Sequence, residues 1–184
     1  FIYLFIKYIK KIDVSKTIDK IVDWLIFLTM TISFILMFMN FVMASSIVDG
    51  ESMMPTLNDK SRLVVLYFNY EPKNDDIIII RDNDKYLVKR VIALPGDKIE
   101  FIKNDDYSFF LYLNGSEIPV KDGFGNNYLI EINSSVWYQK EYILAENELF
   151  ILGDNGSSST SSSDSKQNGF YELHNVIGKV VWPK

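Results

Sequence analysis

Three short stretches of the chain carry the residue types of a serine hydrolase whose base is a lysine. Ser52 lies in the stretch Gly50–Leu57, and Lys89 lies 37 residues later in an apolar stretch. Gly153–Asn155 then opens a serine-rich segment that ends at Asp164–Lys166. A serine hydroxyl is a weak nucleophile that needs an adjacent base, and a polar loop can orient that base. The combination is typical of a Ser-Lys hydrolase.

Lys89 is a candidate base because its neighbours are apolar. A lysine can accept a proton only when it is neutral, and burial can lower its pKa, ordinarily about 10.4, by several units. Strand alternation places Lys89 on one face with Leu87 and Val91, so a buried lysine is one interpretation. The other is a lysine at a strand edge whose ammonium group reaches water. The pattern alone does not separate the two.

Ser52 shortly precedes Pro55, where the chain must turn. A serine on a constrained turn can present its backbone N–H and its hydroxyl together, as an oxyanion site requires. Gly50 would let a substrate backbone approach closely. Taken alone, Ser52 is most simply an ordinary loop serine, so the case for catalysis depends on the three stretches together.

The remaining residue types argue against other catalytic centres. The single histidine, His174, is interpreted as a surface residue, because nothing around it suggests a Ser-His-Asp order. The chain has no cysteine and no clustered spacing of metal ligands, so we expect no metal site.

An uncharged run from Trp24 to Val48 predicts a membrane-spanning helix, which we place at residues 24–46. The run to Met43 is almost entirely apolar, and about 20 such residues suffice to cross a bilayer. A cleaved signal peptide has a shorter apolar core nearer the start of the chain. A soluble core helix of this length would normally show a polar face.

The charges on either side of this span predict its orientation. Residues 1–23 carry five lysines and three aspartates, a net charge of +2, whereas the whole chain carries −5. Positive charge stays cytoplasmic, so we expect residues 1–23 inside, residues 47–184 outside, and membrane lipid as a partner. The acidic exterior argues against nucleic acid as a partner. Residues 1–23 could lie along the inner membrane face or extend the spanning helix. Because Phe1 is not methionine, we expect a preceding segment.

The pattern after the span predicts a mainly β exterior domain with an antiparallel sheet and little helix. Short β-branched and aromatic runs alternate with turn residues, and Asn114-Gly115 is a strong hairpin signal. Residues 104–145 look less constrained, and we interpret them as an inserted β cap. The predicted strands are 62–68, 77–80, 86–94, 98–103, 109–113, 116–120, 148–152 and 176–182.

Together, the three stretches resemble the sequence boxes of bacterial type I signal peptidases. Gly50–Leu57 is similar to their nucleophile box, and Tyr86–Asp97 is similar to their lysine box. Gly153–Asn155 with Ser162–Lys166 is similar to their final box. The resemblance covers the span and the exterior domain in family order. It implies a membrane-bound serine endopeptidase that removes signal peptides from exported preproteins and needs no cofactor.

The resemblance also implies roles for individual residues. Ser52 would attack the scissile carbonyl, and its backbone N–H would bind the oxyanion. Lys89 would act as general base and then as acid to the leaving amine. A serine of the final box would orient the lysine, and we favour Ser162 over Ser159 because Ser162 keeps the family spacing to Asp164. The remaining implied residues are Gly50, Tyr86, Leu87 and Val88 beside an extended substrate, and Asp154, Asp164 and Lys166 bracing the site.

The chain departs from the family pattern in and before the final box. Gly156 and Lys166 stand where the family usually has arginines, and the loop between them is three residues longer than usual. Lysine lacks the bidentate fork of arginine, so we expect a weaker brace to a carboxylate. Some members have a serine donor at the position of Gly50, which leaves the second oxyanion donor open.

Three other functions fit parts of the sequence. They are another membrane-anchored Ser-Lys maturation protease, a self-cleaving repressor of related fold, and a catalytically silent binding module on the same scaffold. The membrane span disfavours the repressor. Intact Ser52 and Lys89 disfavour the silent module, and a lysine rather than a histidine at position 89 disfavours the eukaryotic-type relatives.

Overall fold

The computed structural model describes residues 14–104, 108–130, 137, 139–156 and 163–183. The chain forms two compact units, Phe1–Val42 and Met43–Lys184. Within the described residues, the first unit is helical and the second is built mainly of antiparallel strands. The mainly β fold with one N-terminal apolar helix is confirmed.

Among its described residues, the first unit forms a long helix, α1, from Val14 to Val42. Its section Lys16–Asn40 is long and apolar enough to cross a membrane, by length and composition. Polar side chains in this section bond to the helix backbone. The Thr29 hydroxyl donates to the Leu25 carbonyl at 3.0 Å, which satisfies a polar group that lipid could not.

The helix differs from the predicted span of residues 24–46 at both ends. It includes residues from Val14 onward, and it ends at Val42. Met43–Ile47 instead forms a strand that pairs along its whole length with Arg62–Leu66. Apolar composition did not separate the two, because an uncharged run can continue from helix into strand without any change of residue type.

The second unit contains two sheets in which every described strand pair is antiparallel. The strands are β1 (Met43–Ile47), β2 (Arg62–Leu66), β3 (Ile77–Asp82), β4 (Lys85–Ala93), β5 (Lys98–Lys103), β6 (Phe109–Leu113), β7 (Leu129–Ile130), β8 (Glu141–Ile143), β9 (Glu148–Leu152), β10 (Tyr171–Glu172) and β11 (Val176–Trp182). A short helix, α2 (Ser165–Asn168), lies between β9 and β10. The larger sheet has the order β1-β2-β11-β3-β4-β9-β10, and the smaller has the order β7-β6-β5-β8.

The larger sheet is covered on both faces, which explains the continuous apolar run of β3. Ile77 and Ile79 pack in one cluster, whereas Ile78 and Ile80 pack in another. All four side chains are buried. A strand buried on both faces needs apolar residues at every position rather than at alternate ones.

The smaller sheet overlaps the predicted inserted segment, residues 104–145, but begins earlier. β5, at Lys98–Lys103, pairs with β6 and β8 and therefore belongs to this sheet. The predicted strand over residues 116–120 is wrong: the Ser116 hydroxyl accepts from the Ile118 N–H at 3.1 Å and closes a local turn instead. Such serine turns compete with strand pairing for the backbone.

Candidate active site

Lys89 is buried in the middle of the larger sheet. It lies on β4 opposite Ile78 of β3, and its neighbour Arg90 lies opposite Leu152 of β9. The side chain of Lys89 is 2% exposed. Of the two interpretations left by the sequence, the structure shows the buried lysine. Strand β4 lies between β3 and β9 and is therefore not an edge strand.

This burial lowers the pKa of the Lys89 amine, since an ammonium ion away from water loses its hydration. The negative charges of Asp164 and Asp154 oppose the shift, whereas the positive charge of Lys166 adds to it. Burial is the largest of these effects. A lysine with a lowered pKa spends more time neutral at physiological pH and can therefore accept a proton.

Ser52 and Lys89 line the same cleft, which has a volume of about 150 Å³. One wall comes from the chain just before and including Ser52, and the other comes from β4 up to Lys89. The predicted substrate-binding residues of β4 lie in this second wall, whereas Gly50 is not among the described lining residues. The lining consists of Ser46, Ile47, Val48, Asp49, Ser52, Met53, Ile79, Tyr86, Leu87, Val88 and Lys89.

Ser52 begins a tight turn that is anchored in the core. The Met54 N–H donates to the Glu51 carbonyl at 3.1 Å, and the Leu57 N–H donates to the Met53 carbonyl at 2.8 Å. Met53 and Leu57 are each 1% exposed. The turn predicted at this point therefore forms, with its apolar side chains inside and the half-buried Ser52 facing the cleft.

The backbone of Ser52 is fixed by the segment Gly153–Asn155. The Asn155 N–H donates to the Ser52 carbonyl at 2.9 Å, and the Asn155 side-chain amide donates to the Glu51 carbonyl at 3.3 Å. Gly153 lies so close that a Cβ there would overlap the Ser52 carbonyl oxygen. Only glycine fits at this position.

Asp154 connects the turn of Ser52 with the strand of Lys89. Its carboxylate accepts from Arg90 Nε at 2.7 Å and from Arg90 Nη2 at 2.6 Å, and it also accepts from the Thr56 hydroxyl. Asp154 is 1% exposed, and a buried bidentate pair of this kind is among the stronger hydrogen-bonded arrangements. The hydrogen bond to Asp154 also raises the pKa of Arg90.

The sequence pattern indicated no role for Arg90 or Thr56, although both residues lie within the stretches that contain Lys89 and Ser52. Arg90 directly follows Lys89, and Thr56 lies four residues after Ser52. Alternation along β4 could have indicated that Arg90 faces away from Lys89. Nothing local indicated that Asp154, far along the chain, would accept from both side chains.

Asp164 and Lys166 lie at the start of the short helix α2. Asp164 caps the helix by accepting from the Lys166 N–H at 3.0 Å, and its carboxylate also accepts from the Gly153 N–H at 3.4 Å. The Lys166 ammonium group donates to the Gly156 carbonyl at 3.2 Å. The partner shown for the Lys166 ammonium group is thus a backbone carbonyl, and its expected brace to a carboxylate stays a prediction.

Gly156, where the family usually has arginine, lies against another loop. A Cβ at this position would lie 2.6 Å from Asp122 Oδ2. The other oxygen of Asp122 accepts from the Phe124 and Asn126 N–H groups at 3.0 and 2.8 Å. A longer side chain at position 156 would displace this loop.

Two other predicted positions have different outcomes. Ser162, with its alternative Ser159, lies outside the described residues, so the serine that orients Lys89 stays a prediction. The His174 imidazole is 66% exposed and lies 2.8 Å from the Glu172 carboxylate. This is the surface position that the sequence predicted.

Comparisons with known proteins give consistent matches. The family model for signal peptidases, peptidase S26, matches residues 21–183. A signal peptidase I of Bacillus caldolyticus is 36% identical, over 78% of this chain and 81% of its own length. Signal peptidase I S of Bacillus subtilis is 31% identical, with 83% of each chain covered. Signal peptidase IB of Staphylococcus aureus is 30% identical, over 89% of this chain and 91% of its own.

A crystal structure of a signal peptidase I from Enterococcus faecalis matches 60% of this chain and 97% of its own, with 23% identity and a TM-score of 0.41. The assignment rests on the sequence matches, and the family model covers helix α1 from residue 21 onward together with the second unit as far as residue 183. The chain therefore belongs to the signal peptidase family, peptidase S26, as a bacterial type I signal peptidase.

Proposed function

We propose that this protein removes signal peptides from exported preproteins with a dyad of Ser52 and Lys89. The observation that carries the proposal is that a buried lysine with a lowered pKa shares one cleft with a serine on a rigid turn. Membership of the signal peptidase family supplies the reaction, and the cleft supplies the two groups that would perform it.

In the first half of the reaction, neutral Lys89 takes the hydroxyl proton of Ser52 as the oxygen attacks the scissile carbonyl. The backbone N–H of Ser52 donates to the resulting oxyanion. Protonated Lys89 then gives its proton to the leaving amine, and an acyl ester on Ser52 remains. In the second half, Lys89 deprotonates a water molecule that attacks the ester carbonyl. The bond between the acyl carbon and the Ser52 oxygen then breaks, Lys89 returns its proton to that oxygen, and the cleaved peptide leaves with a new carboxyl terminus.

The preprotein would lie extended along the cleft, beside the part of β4 that ends at Lys89. A peptide in this arrangement can bond to a strand backbone, while alternate side chains enter pockets. The apolar lining residues Ile47, Ile79 and Leu87 support shallow pockets for small residues before the cut. Small side chains are required there because the peptide backbone must come close to Ser52.

Helix α1 would anchor the enzyme in the membrane as a single span. Its large apolar side chains are exposed along most of its length, which suits a helix surrounded by lipid. The lysines before residue 24 favour an N-terminus in the cytoplasm, and residues 47–184 would then lie outside it. Protease added to spheroplasts should digest this large domain without lysis; digestion only after lysis would reverse the orientation.

A serine-reactive probe tests the nucleophile and separates the alternatives. The wild-type protein in detergent should be labelled on Ser52, and Ser52→Ala should not be. A catalytically silent binding module would show no labelling in either protein. Another maturation protease would be labelled in the same way, but would not cut a signal peptide after its small-x-small motif.

A further inference from the structure

A buried tyrosine in the connection between β6 and β7 contacts residues 153–155, the segment that bonds to the backbone of Ser52. The Tyr128 hydroxyl donates to the Gly153 carbonyl at 2.7 Å, and the whole side chain is 1% exposed. Its ring packs in the core cluster together with Leu111 and Ile130. Burial raises the pKa of Tyr128, so the hydroxyl keeps its proton and remains a donor at every practical assay pH.

Gly153, which Tyr128 contacts, packs directly against the backbone of Ser52. Its Cα lies against the Ser52 carbonyl with no room for a side chain, and two residues later the Asn155 N–H donates to the same carbonyl at 2.9 Å. A second hydrogen bond from the connection between β6 and β7 holds the same segment: the Gly123 N–H donates to the carbonyl of residue 154 at 2.8 Å. The turn at 153–155 is thus held on one side and holds the nucleophile on the other.

We propose that Tyr128 is a positioning residue for the reaction: its hydroxyl fixes the Gly153 carbonyl and, through residues 153–155, the backbone of Ser52. This inference rests on the proposed role of Ser52. The Ser52 N–H is the proposed oxyanion donor, so a rotation of this backbone would misplace the donor and the nucleophile together. The wall formed by Tyr86–Lys89 would stay in place, so peptide binding would be retained.

The test compares Tyr128→Phe with Tyr142→Phe in the full-length protein in detergent. Tyr142 lies on β8, and its hydroxyl accepts from the Gln139 N–H at 2.8 Å, a bond that involves neither Ser52 nor residues 153–155. Its substitution therefore removes one hydroxyl without touching the contact under test. With a synthetic signal peptide, Tyr128→Phe should lower kcat about tenfold, since small misplacements of reacting groups are costly. KM should stay within about twofold of the wild-type value, and Tyr142→Phe should turn over normally. A wild-type kcat for Tyr128→Phe would overturn the inference.

Hydrogen exchange distinguishes positioning from a general loss of stability. In Tyr128→Phe, the amide of Asn155 should exchange faster while the amides of Ile77–Ile80 remain protected as in the wild type. Equal acceleration of both would overturn the inference. If the wild-type protein neither cleaves the peptide nor reacts at Ser52, the proposed function fails, and exchange at Asn155 still decides whether Tyr128 holds this backbone.

A second variant covers the case in which Tyr128→Phe does not fold. The residue 4-aminophenylalanine at position 128 keeps the ring and offers a weaker N–H donor to the Gly153 carbonyl. Its kcat should lie below that of the wild type and, where Tyr128→Phe folds, above that of the phenylalanine variant. A kcat equal to the wild-type value, with unchanged exchange at Asn155, would overturn the inference.

Discussion

Replacing Lys89 by methionine should stabilise the protein at neutral pH, and the gain should shrink as the pH rises. The lysine is 2% exposed and burial lowers its pKa, so the folded protein disfavours the proton that the unfolded chain holds up to about pH 10.4. Methionine has a similar length, fills the same space and carries no charge to desolvate. The substitution therefore removes the free-energy cost of burying an ionisable lysine.

The sign and slope follow from proton linkage. Between the lowered pKa of folded Lys89 and about 10.4, the unfolded chain binds more protons than the folded one, so wild-type stability rises with pH. One proton corresponds to a slope of at most about 1.4 kcal/mol per pH unit. Below the folded pKa of Lys89 the slope vanishes, because both states are then protonated. The methionine variant has no contribution from this site, so the difference between the two proteins isolates it.

Urea unfolding in detergent between about pH 6.5 and 9.5, a window below the unfolded lysine pKa, would measure this difference. Trp137 is 1% exposed in the core and reports unfolding by its fluorescence. Lys85→Met is the control, because Lys85 lies on the same strand but is exposed; its difference from the wild type should not change with pH. A flat difference for Lys89→Met, or one that grows with pH, would refute the lowered pKa of Lys89.

Three further predictions concern turnover of a synthetic signal peptide. The kcat/KM should rise with pH through the lowered pKa of Lys89. The variant Lys89→Arg should be inactive at every pH because a guanidinium cannot be deprotonated, and near-normal turnover by this variant would exclude Lys89 as the base. Arg90→Lys should lower kcat about tenfold by losing the bidentate bond to Asp154, and rates at wild-type level would show that this pair has no influence on the site. Gly153→Ala should lower kcat at least about 100-fold, because its methyl group would displace the Ser52 carbonyl; this is measured as initial rate per folded molecule, and an active alanine variant would contradict the close contact.

Local patterns predicted the elements that carry the two central residues. The apolar run around Lys89 forms β4, and the proline after Ser52 lies in a turn. Both predictions depend on residues close together in the chain, where alternation and turn chemistry act directly. The burial of Lys89 required the structure, because it depends on β3 and β9 on either side of its strand.

Long-range contacts could not be predicted from such patterns. Tyr128 and Gly123 lie in a segment rich in glycine and asparagine, which indicated loops and gave no sign of bonds to residues 153 and 154. The end of helix α1 was missed for a related reason: Met43–Ile47 becomes a strand only because Arg62–Leu66 pairs with it. Tertiary pairing decides such segments, whereas their own composition permits either structure.

The most direct test of the Ser52–Lys89 dyad is mass-spectrometric mapping of the products formed from a synthetic signal peptide with a small-x-small motif. The full-length protein, Ser52→Ala and Lys89→Met would be compared in detergent at the same concentration. We expect the wild-type protein to cut once, directly after the second small residue, and neither variant to cut during the same period. Cleavage at that bond by Lys89→Met at a rate comparable to the wild type would contradict the account.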